Sequence, residues 1–239
     1  MSLVTQNDIT QQFDNHAKSY DETTNQSISF SGLKVDFFVR AKAEHIIQTA
    51  QRHFDETETV SVLDIGCGVG KYHQLLTPNF KSISGIDVSE DSIKIAKTNN
   101  PNVSYEIYQG QTLPYADNTF ELTYTICVMH HVPPTQWNNF AKEMMRITKP
   151  GGMALVFEHN PLNPLTRKAV NDCPYDKDAV LLRPKKVQSL FQSTGEVDMK
   201  TEHILTIPAI SGITKSVDRL FGKLPFGAQY CHQIIKKIS

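Results

Sequence analysis

The chain has 239 residues, of which 39% are hydrophobic and 21% are charged, and its formal net charge is −1. This length fits one large α/β domain with an ample core. The near-neutral charge excludes a global basic field that would attract nucleic acid, and it leaves a local basic patch as the alternative. Residues 1–8 show no basic region followed by an apolar one, and no apolar run approaches the length of a membrane span. We therefore expect a cytoplasmic protein, monomeric or homodimeric, without membrane or nucleic-acid partners.

Four cysteines are scattered widely along the chain: Cys67, Cys127, Cys173 and Cys231. They form no CxxC pair and no cluster with histidine at the spacing of a zinc site. They are therefore predicted to be reduced and mostly buried, and no metal is predicted.

Residues 1–32 are polar and typical of a flexible arm. However, Phe13 and Tyr20 are seven residues apart and can share one helix face, which indicates that the arm docks onto the domain. The next segment, 34–54, is predicted to be a long helix. Its apolar stripe comprises Phe37, Phe38, Ala41, His45, Ile46 and Ala50.

The segment 59–70 reads Thr-Val-Ser-Val-Leu-Asp-Ile-Gly-Cys-Gly-Val-Gly. Its β-branched and apolar residues predict a strand buried on both faces of a parallel sheet. The glycines that follow, Gly66, Gly68 and Gly70, let the backbone turn tightly and come close to a ligand. Residues 71–76 can begin a helix whose free N–H groups point back at this turn. The unit predicts a site for a nucleoside-like ligand.

This loop differs from the dinucleotide fingerprint Gly-x-Gly-x-x-Gly, because the third position after its second glycine is Lys71. Asp64, just before the loop, would repel a pyrophosphate but suits a cationic or amino-bearing ligand. Residues 62–70 closely resemble motif I of class I S-adenosylmethionine-dependent methyltransferases. The resemblance implies that the methionine end of the cofactor is held by Asp64, Gly66, Cys67 and Gly68.

The resemblance extends to Asp87, at the end of a second predicted strand, 82–89. A carboxylate at this edge of the sheet can accept two hydrogen bonds from a ribose diol, and Gly85-Ile86 before it matches motif II of the family. The alternative is a surface acid that caps the next helix, 89–97, whose first residue is the capping Ser89.

A third strand, 102–108, precedes Gln109, at a position that is commonly acidic in the family. Its amide oxygen can still accept a bond from the adenine amino group. Further cofactor contacts are implied for Val88, Gly110 and Cys127.

The Phe-Asp-x-x-Ala-x-x-Tyr-Asp pattern at 13–21 resembles the opening of many small-molecule methyltransferases. In those proteins the tyrosine closes over the cofactor, so Tyr20 is expected to be a lid residue. The alternative is a tyrosine that only packs.

A fourth strand, 120–128, leads into Met-His-His-Val-Pro-Pro at 129–134, which resembles the family's segment near the acceptor. Two adjacent histidines point to different sides, so at most one of them is expected to face the cleft. His131 is a candidate general base at neutral pH. The alternative is that its ring braces the loop by hydrogen bonds.

The segment 158–182 leaves the fifth strand, 153–157, at the edge where open α/β sheets bind ligands. It is rich in hydrogen-bonding groups, and we expect Glu158, Asn160 and Arg167 to contribute to the acceptor pocket. His159 or Glu158 is the alternative base. The competing interpretation is a long solvated connection made rigid by prolines.

The remaining predicted elements are helices at 135–147, 184–194 and 212–223, and strands at 196–207 and 228–237. The resemblance implies an α/β fold with a doubly wound, mainly parallel seven-stranded sheet, helices on both faces and a reversed last strand between strands 5 and 6. Residues 1–32 are predicted to be a lid arm, and residues 33–239 a methyltransferase domain that includes an acceptor-site insertion at 158–182.

The function implied by the resemblance is transfer of the methyl group of S-adenosylmethionine to a small-molecule oxygen, nitrogen or carbon by in-line displacement. The motifs are specific for cofactor and fold and carry little information on the acceptor. Methylation of RNA or protein, and cofactor binding without catalysis, are the alternatives.

Overall fold

A computed structural model of the chain describes residues 20–29, 32–205, 225 and 227–238. The α-helices in these ranges are α1 (Tyr20–Ser27), α2 (Val35–His53), α3 (His73–Leu76), α4 (Glu90–Asn99), α5 (Trp137–Ile147), α6 (Pro164–Asp172) and α7 (Pro184–Gln192). The strands are β1 (Ser61–Ile65), β2 (Ser82–Asp87), β3 (Ser104–Ile107), β4 (Phe120–Ile126), β5 (Thr148–His159), β6 (Val197–Ile204) and β7 (Gln229–Lys236). Within the described ranges, no helix combines the length and apolar character needed to cross a membrane.

The strands form one seven-stranded sheet in the order β3-β2-β1-β4-β5-β7-β6. The first five strands pair in parallel, and β7 runs antiparallel to both of its neighbours, β5 and β6. The predicted mainly parallel sheet with a reversed last strand between strands 5 and 6 is therefore confirmed.

Helices cover both faces of the sheet, and adjacent residues of β1 divide between the two cores. Val62 packs in a cluster with Ile46 of α2, whereas Leu63 packs in a second cluster with Met144 of α5 and Phe191 of α7. All five side chains are fully buried. Successive side chains of a strand point to opposite faces, so an unbroken apolar run belongs to a strand covered on both sides.

The helix α2 buries part of the predicted stripe, Ile46 and Ala50, in the core, but not all of it. Its buried side chains include Val39, Ala43 and Ile46, while Phe37 and Phe38 are only partly buried and line a cavity. The apolar residues of this helix therefore form two neighbouring stripes, one against the sheet and one facing the cavity. The sequence prediction assigned residues of both stripes to one apolar stripe.

Two further predictions differ from the structure or cannot be compared with it. The strand β5 begins at Thr148 and not at residue 153, because Thr148 already pairs with Phe120 before a register shift in the ladder. The predicted helix 212–223 and the side chain of Phe13 lie outside the described residues.

Candidate functional site

A cavity of about 410 Å³ lies where the strands β1, β2, β4 and β5 end. This is the carboxyl edge of the parallel strands, where open α/β sheets bind ligands. Seven of the predicted cofactor residues are on its wall: Gly66, Cys67, Gly68, Asp87, Val88, Gly110 and Cys127. The structure thus brings together residues from four separate stretches of the chain.

The glycine loop after β1 is shaped for close approach of a ligand. Gly66 has φ of 77°, and a Cβ there would lie 2.5 Å from Cγ2 of Val128, so the packing requires glycine. Gly68 has φ of 51°, and a Cβ there would meet no atom within 4 Å. Because Gly68 is on the cavity wall, a side chain at this position would fill space that a ligand can use.

Asp87 lies beside this loop, and each of its two carboxylate oxygens accepts a hydrogen bond from a backbone N–H group. Its Oδ2 accepts the N–H of Gly68 at 2.8 Å, and its Oδ1 accepts the N–H of Ser89 at 2.9 Å. Burial raises the pKa of Asp87, and the backbone N–H groups oppose that rise. Each oxygen keeps a further lone pair, so the carboxylate can also accept bonds from a ligand diol. The cap of α4 is Ser89, whose Oγ accepts the N–H of Ser92 at 3.1 Å.

Asp64 is buried beneath the glycine loop and is not on the cavity wall. Its Oδ2 lies 3.1 Å from Nε2 of His73, and Nδ1 of the same ring lies 2.5 Å from the hydroxyl of Tyr105. The side chain of Asp64 therefore does not line the cavity, and its implied contact with the cofactor stays a prediction. The carboxylate instead ties the end of β1 to the first turn of α3.

Two other predicted cofactor residues, Gln109 and Tyr20, are also not among the described residues that line the cavity. Gln109 is exposed, and its neighbours Tyr108 and Gly110 line the cavity in its place. The side chain of Tyr20 lies outside the described residues, so its lid role stays a prediction. The helix that begins at Tyr20 does reach the cavity, through Thr24 and Ser27.

Both adjacent histidines after β4 line the cavity, so the prediction that at most one faces the cleft is wrong. They lie in a tight turn and not in a strand: the N–H of His131 donates to the carbonyl oxygen of Val128 at 2.9 Å. In such a turn successive side chains no longer alternate. The rings of His130 and His131 have centroids 4.1 Å apart, and that of His159 lies 5.1 Å from His130.

Two carboxylates face these rings. Oε2 of Glu158 lies 2.6 Å from Nδ1 of His130, and Oε1 accepts the N–H of Met129 at 2.8 Å. Oδ1 of Asp176 lies 3.4 Å from Nε2 of His130 and 3.3 Å from Nε2 of His131. His130 and Glu158 are almost completely buried.

The pKa values of the three histidine rings shift in different directions. Burial favours a neutral His130, but the charges of Glu158 and Asp176 outweigh it and raise its pKa well above the usual value. Burial and the charge of His130 lower the pKa of His131, and the same causes lower that of His159 to about 4. The two carboxylates thus favour the protonated form of His130, whereas burial favours the neutral form of the other two rings.

The predicted acceptor residues are placed differently from expectation. Glu158 is fully buried behind His130. The amide of Asn160 is also buried and donates to the carbonyl oxygens of Pro225 and Gly227 at 3.0 and 2.8 Å. Arg167 is exposed on α6. None of the three predicted side chains lines the cavity, whereas His159 does.

The segment 158–182 nevertheless forms one wall of the cavity with other residues. The inward face of α6 and the turn after it contribute Asn163, Thr166, Ala169, Val170, Cys173 and Asp176. Residues three or four apart share one face of a helix, so Thr166 and Ala169 turn inward while the intervening Arg167 turns out.

Sequence reasoning missed two cationic side chains on the wall. Lys42 is 5% exposed, and its ammonium lies 5.9 Å from the ring centroid of Tyr72. Its spacing from Val39 and Ile46, three and four residues away, is the signal that could have found it. Lys71, next to the glycine loop, was noted only for the motif spacing.

Comparisons with known proteins agree with this architecture. Residues 62–152 match a family model described as a methyltransferase domain. An uncharacterized methyltransferase of Synechocystis sp. is 33% identical over 103 residues, which cover 43% of this chain and 49% of that protein. Norajmaline N-methyltransferase of Rauvolfia serpentina is 31% identical over 163 residues, covering 62% of this chain and 52% of that protein.

Among solved structures, the chain resembles a SAM-dependent methyltransferase of Thermotoga maritima described as a possible histamine N-methyltransferase. The TM-score is 0.65 at 18% identity, and the match covers 96% of this chain and 100% of that one. At this level of identity the likeness concerns the fold.

The sheet order, with a glycine loop at the carboxyl edge of the parallel strands, is the Rossmann-like fold of class I methyltransferases. Residues 62–152 therefore match a methyltransferase domain, and the fold of the chain is that of the class I S-adenosylmethionine-dependent methyltransferases. The resemblance noted in the sequence is thereby confirmed. The chain spans about half the length of these two relatives, so their acceptors are not transferred to it.

Proposed function

We propose that this protein transfers the methyl group of S-adenosylmethionine to a small-molecule acceptor bound in the same cavity. One observation carries the proposal: a single cavity is lined both by the glycine loop with Asp87 and by the histidines after β4 and β5. A cofactor on the first side would present its methyl group toward an acceptor on the second. A cytoplasmic location and a monomeric or homodimeric state stay predictions.

The glycine loop and Asp87 are proposed to hold the cofactor. The open space at Gly68 admits the methionine portion, and the carboxylate of Asp87 accepts bonds from the ribose hydroxyls. The sulfonium supplies an already activated methyl group, so the main task of the protein is alignment. Holding acceptor, methyl and sulfur in line can contribute about 7–11 kcal/mol to lowering the barrier.

The opposite wall indicates the character of the acceptor. Phe37, Phe38 and Val39 of α2 line the cavity, as do Ala169 and Val170 of α6, and these side chains suit an apolar part of the acceptor. Polar groups on the wall of the cavity include Lys42, the three histidines, Asn163, Thr166 and Asp176. We propose an acceptor with an apolar framework and one polar methyl-accepting group that faces the histidines. His131 and His159 stay predictions as bases, and a base is needed only if the acceptor keeps its proton until the transition state.

The direct test is a calorimetric titration of the purified chain with S-adenosylhomocysteine, the demethylated product. We expect a saturable heat with one site per chain and a rise in melting temperature. Adenosine diphosphate is the matched control, since it shares the adenosine portion but carries the pyrophosphate that the loop spacing disfavours. Equal binding of both, or of neither, would contradict the proposal.

A pH dependence is expected from Lys71. Burial lowers the pKa of this cavity-wall lysine to about 8, so it is mostly charged at pH 7 and can pair with the carboxylate at the methionine end of the cofactor. Binding of that carboxylate favours the charged form. Affinity should therefore fall as pH rises through about 8, and Lys71→Met should bind about tenfold more weakly at pH 7.

The cofactor amine also titrates, so the informative quantity is the difference between variants. Calorimetry over about three pH units centred on the lysine pKa should show that the tighter binding of wild type relative to Lys71→Met disappears at the alkaline end. Lys71→Arg keeps its charge and should retain the tighter binding. Parallel pH profiles for wild type and Lys71→Met would remove Lys71 from cofactor binding.

A further inference from the structure

Three potential metal-ligating atoms converge on one side of the cavity. They come from His130, His131 and Asp176, one ligand atom from each residue, and they lie within 4.8 Å of one another; Oδ1 of Asp176 is close to Nε2 of both rings. The three residues also line the cavity. The sequence predicted no metal here, because the two histidines and the aspartate lie 45 residues apart in the chain, counted from His131 to Asp176, and match no ligand spacing.

The distances distinguish this cluster from an ordinary ion pair. Asp176 Oδ1 lies 3.4 and 3.3 Å from the two Nε2 atoms, beyond the roughly 2.7–2.9 Å of a charged hydrogen bond. The Glu158–His130 pair, at 2.6 Å, shows that this site does accommodate a close contact. With metal bonds of about 2.0–2.2 Å, the ligand atoms around a tetrahedral ion lie about 3.3–3.6 Å apart. The observed separations match that edge length.

The nitrogen that points into the cluster is a buried group without a hydrogen bond. His130 is 1% exposed, and among the described residues its Nε2 has no partner with hydrogen-bond geometry. A buried polar atom in this state costs free energy unless something binds it. A cation between this nitrogen and Asp176 would satisfy it by displacing the proton from Nε2 to solvent, while the proton on Nδ1 stays with Glu158.

The surroundings orient the ring as metal sites require. Glu158 holds the opposite nitrogen, Nδ1, of His130, and carboxylate–histidine pairs of this kind orient metal-binding imidazoles. The turn itself is fixed by Trp137, whose Nε1 donates to the carbonyl oxygens of Met129 and Val132 at 3.0 and 2.9 Å. The ligands are thus held before any ion arrives.

We propose that His130, His131 and Asp176 form a binding site for a divalent first-row transition metal such as Zn²⁺, open toward the acceptor side of the cavity. Two imidazoles and one carboxylate with a free position are the donor set of catalytic zinc sites. Glu158 is the positioning residue of this site.

The role of the ion rests on the proposed methyl transfer, whereas its binding does not. The ion coordinates a hydroxyl or enol oxygen of the acceptor, and the proton of that group passes to solvent as the metal–oxygen bond forms. A lone pair of this oxygen then forms the new bond to the methyl carbon. The carbon–sulfur bond breaks and its electron pair stays on sulfur, which leaves S-adenosylhomocysteine. In this arrangement His131 is a ligand and no side-chain base is needed.

The test uses the full chain after treatment with a chelator. Zn²⁺ is titrated by calorimetry, and Co²⁺ is added as a spectroscopic probe of coordination. We expect one saturable site per chain and a visible absorption band of tetrahedral or five-coordinate Co²⁺ that Zn²⁺ removes. Absence of both signals in wild type would overturn the proposal.

Matched variants assign the site. His131→Ala and Asp176→Asn should lose the saturable site and the Co²⁺ band, and Glu158→Gln should weaken binding by about 10- to 100-fold. His159→Gln is the control, since it removes a cavity histidine outside the cluster and should leave both signals. Equal loss in His159→Gln, or unchanged binding in both His131→Ala and Asp176→Asn, would overturn the assignment.

Folding and cofactor binding are followed separately in the same samples. Each variant is titrated with S-adenosylhomocysteine, and retained binding shows that the domain is folded. Should His131→Ala fail to fold, the nearly isosteric Asp176→Asn decides the question. If wild type binds the cofactor product but gives no metal signal, the metal site is overturned and the proposed methyl transfer is not. If it binds the metal but not the cofactor product, the metal site is supported and the proposed methyl transfer is contradicted.

Discussion

Replacing Glu158 by alanine is expected to lower the free energy of unfolding by about 3–5 kcal/mol. The carboxylate is fully buried and bonds both His130 and the N–H of Met129. Its removal leaves a buried imidazole without its closest counter-charge and a buried N–H without an acceptor. The cavity that the shorter alanine side chain leaves in the core lowers the free energy of unfolding further.

Urea denaturation of wild type and Glu158→Ala measures this difference. Glu158→Gln is the matched variant, because it keeps the side-chain volume and an oxygen for Met129, and it should lose less than Glu158→Ala. Asp172→Ala removes the exposed partner of Lys168 and should cost only about 0.3–0.5 kcal/mol. A loss in Glu158→Ala as small as that in Asp172→Ala would show that the buried pair does not stabilise the fold.

The fold could be predicted from sequence because its central strand has an unmistakable pattern. The apolar run at 60–65 requires cover on both faces, and the glycines after it require a tight turn at the sheet edge. The observed strand and loop follow directly. The face of α2 could not be predicted, since Phe37 and Phe38 look like core residues until the cavity beside them is known.

The site was predictable where local backbone geometry decides it. Asp87 is the last residue of β2, at a fixed offset from the loop, and it lies on the cavity wall. The orientation of Asp64 depends on His73 and Tyr105, which no local pattern connects to it. Asp176 reaches the histidines only through the path of the chain after α6, so its place beside His131 carries no sequence signal.

The same distinction explains the acceptor segment. Its position after β5 placed it at the sheet edge, and its wall residues do line the cavity. The choice of Asn160 and Arg167 followed their hydrogen-bonding chemistry. The helix α6 turns Arg167 outward, and Asn160 is used to hold the backbone near residue 227. The chemistry of a side chain does not tell which face of the helix it occupies. Residues that line the cavity could therefore not be distinguished by sequence from residues that face outward.

Asp87→Ala is expected to weaken binding of S-adenosylhomocysteine by about 10- to 150-fold, the equivalent of about 1.5–3 kcal/mol. Two losses combine in this variant. The ribose hydroxyls lose a charged acceptor, and the N–H groups of Gly68 and Ser89 lose the oxygens that now hold them. Without these oxygens the glycine loop is less firmly held. The variant therefore changes the shape of the site as well as its charge.

Asp87→Asn separates these two contributions in the same calorimetric titration. Its amide oxygen can still accept one backbone N–H, whereas its NH₂ group cannot accept from a ribose hydroxyl. If direct ribose contact dominates, Asn and Ala should weaken binding to a similar extent; if loop support dominates, Asn should recover most of the affinity. Asp117→Asn, on an exposed side chain paired with Arg146, is the distant control and should bind as wild type does. Unchanged affinity in Asp87→Ala would exclude this carboxylate from the cofactor site, because neither contact would then matter for binding.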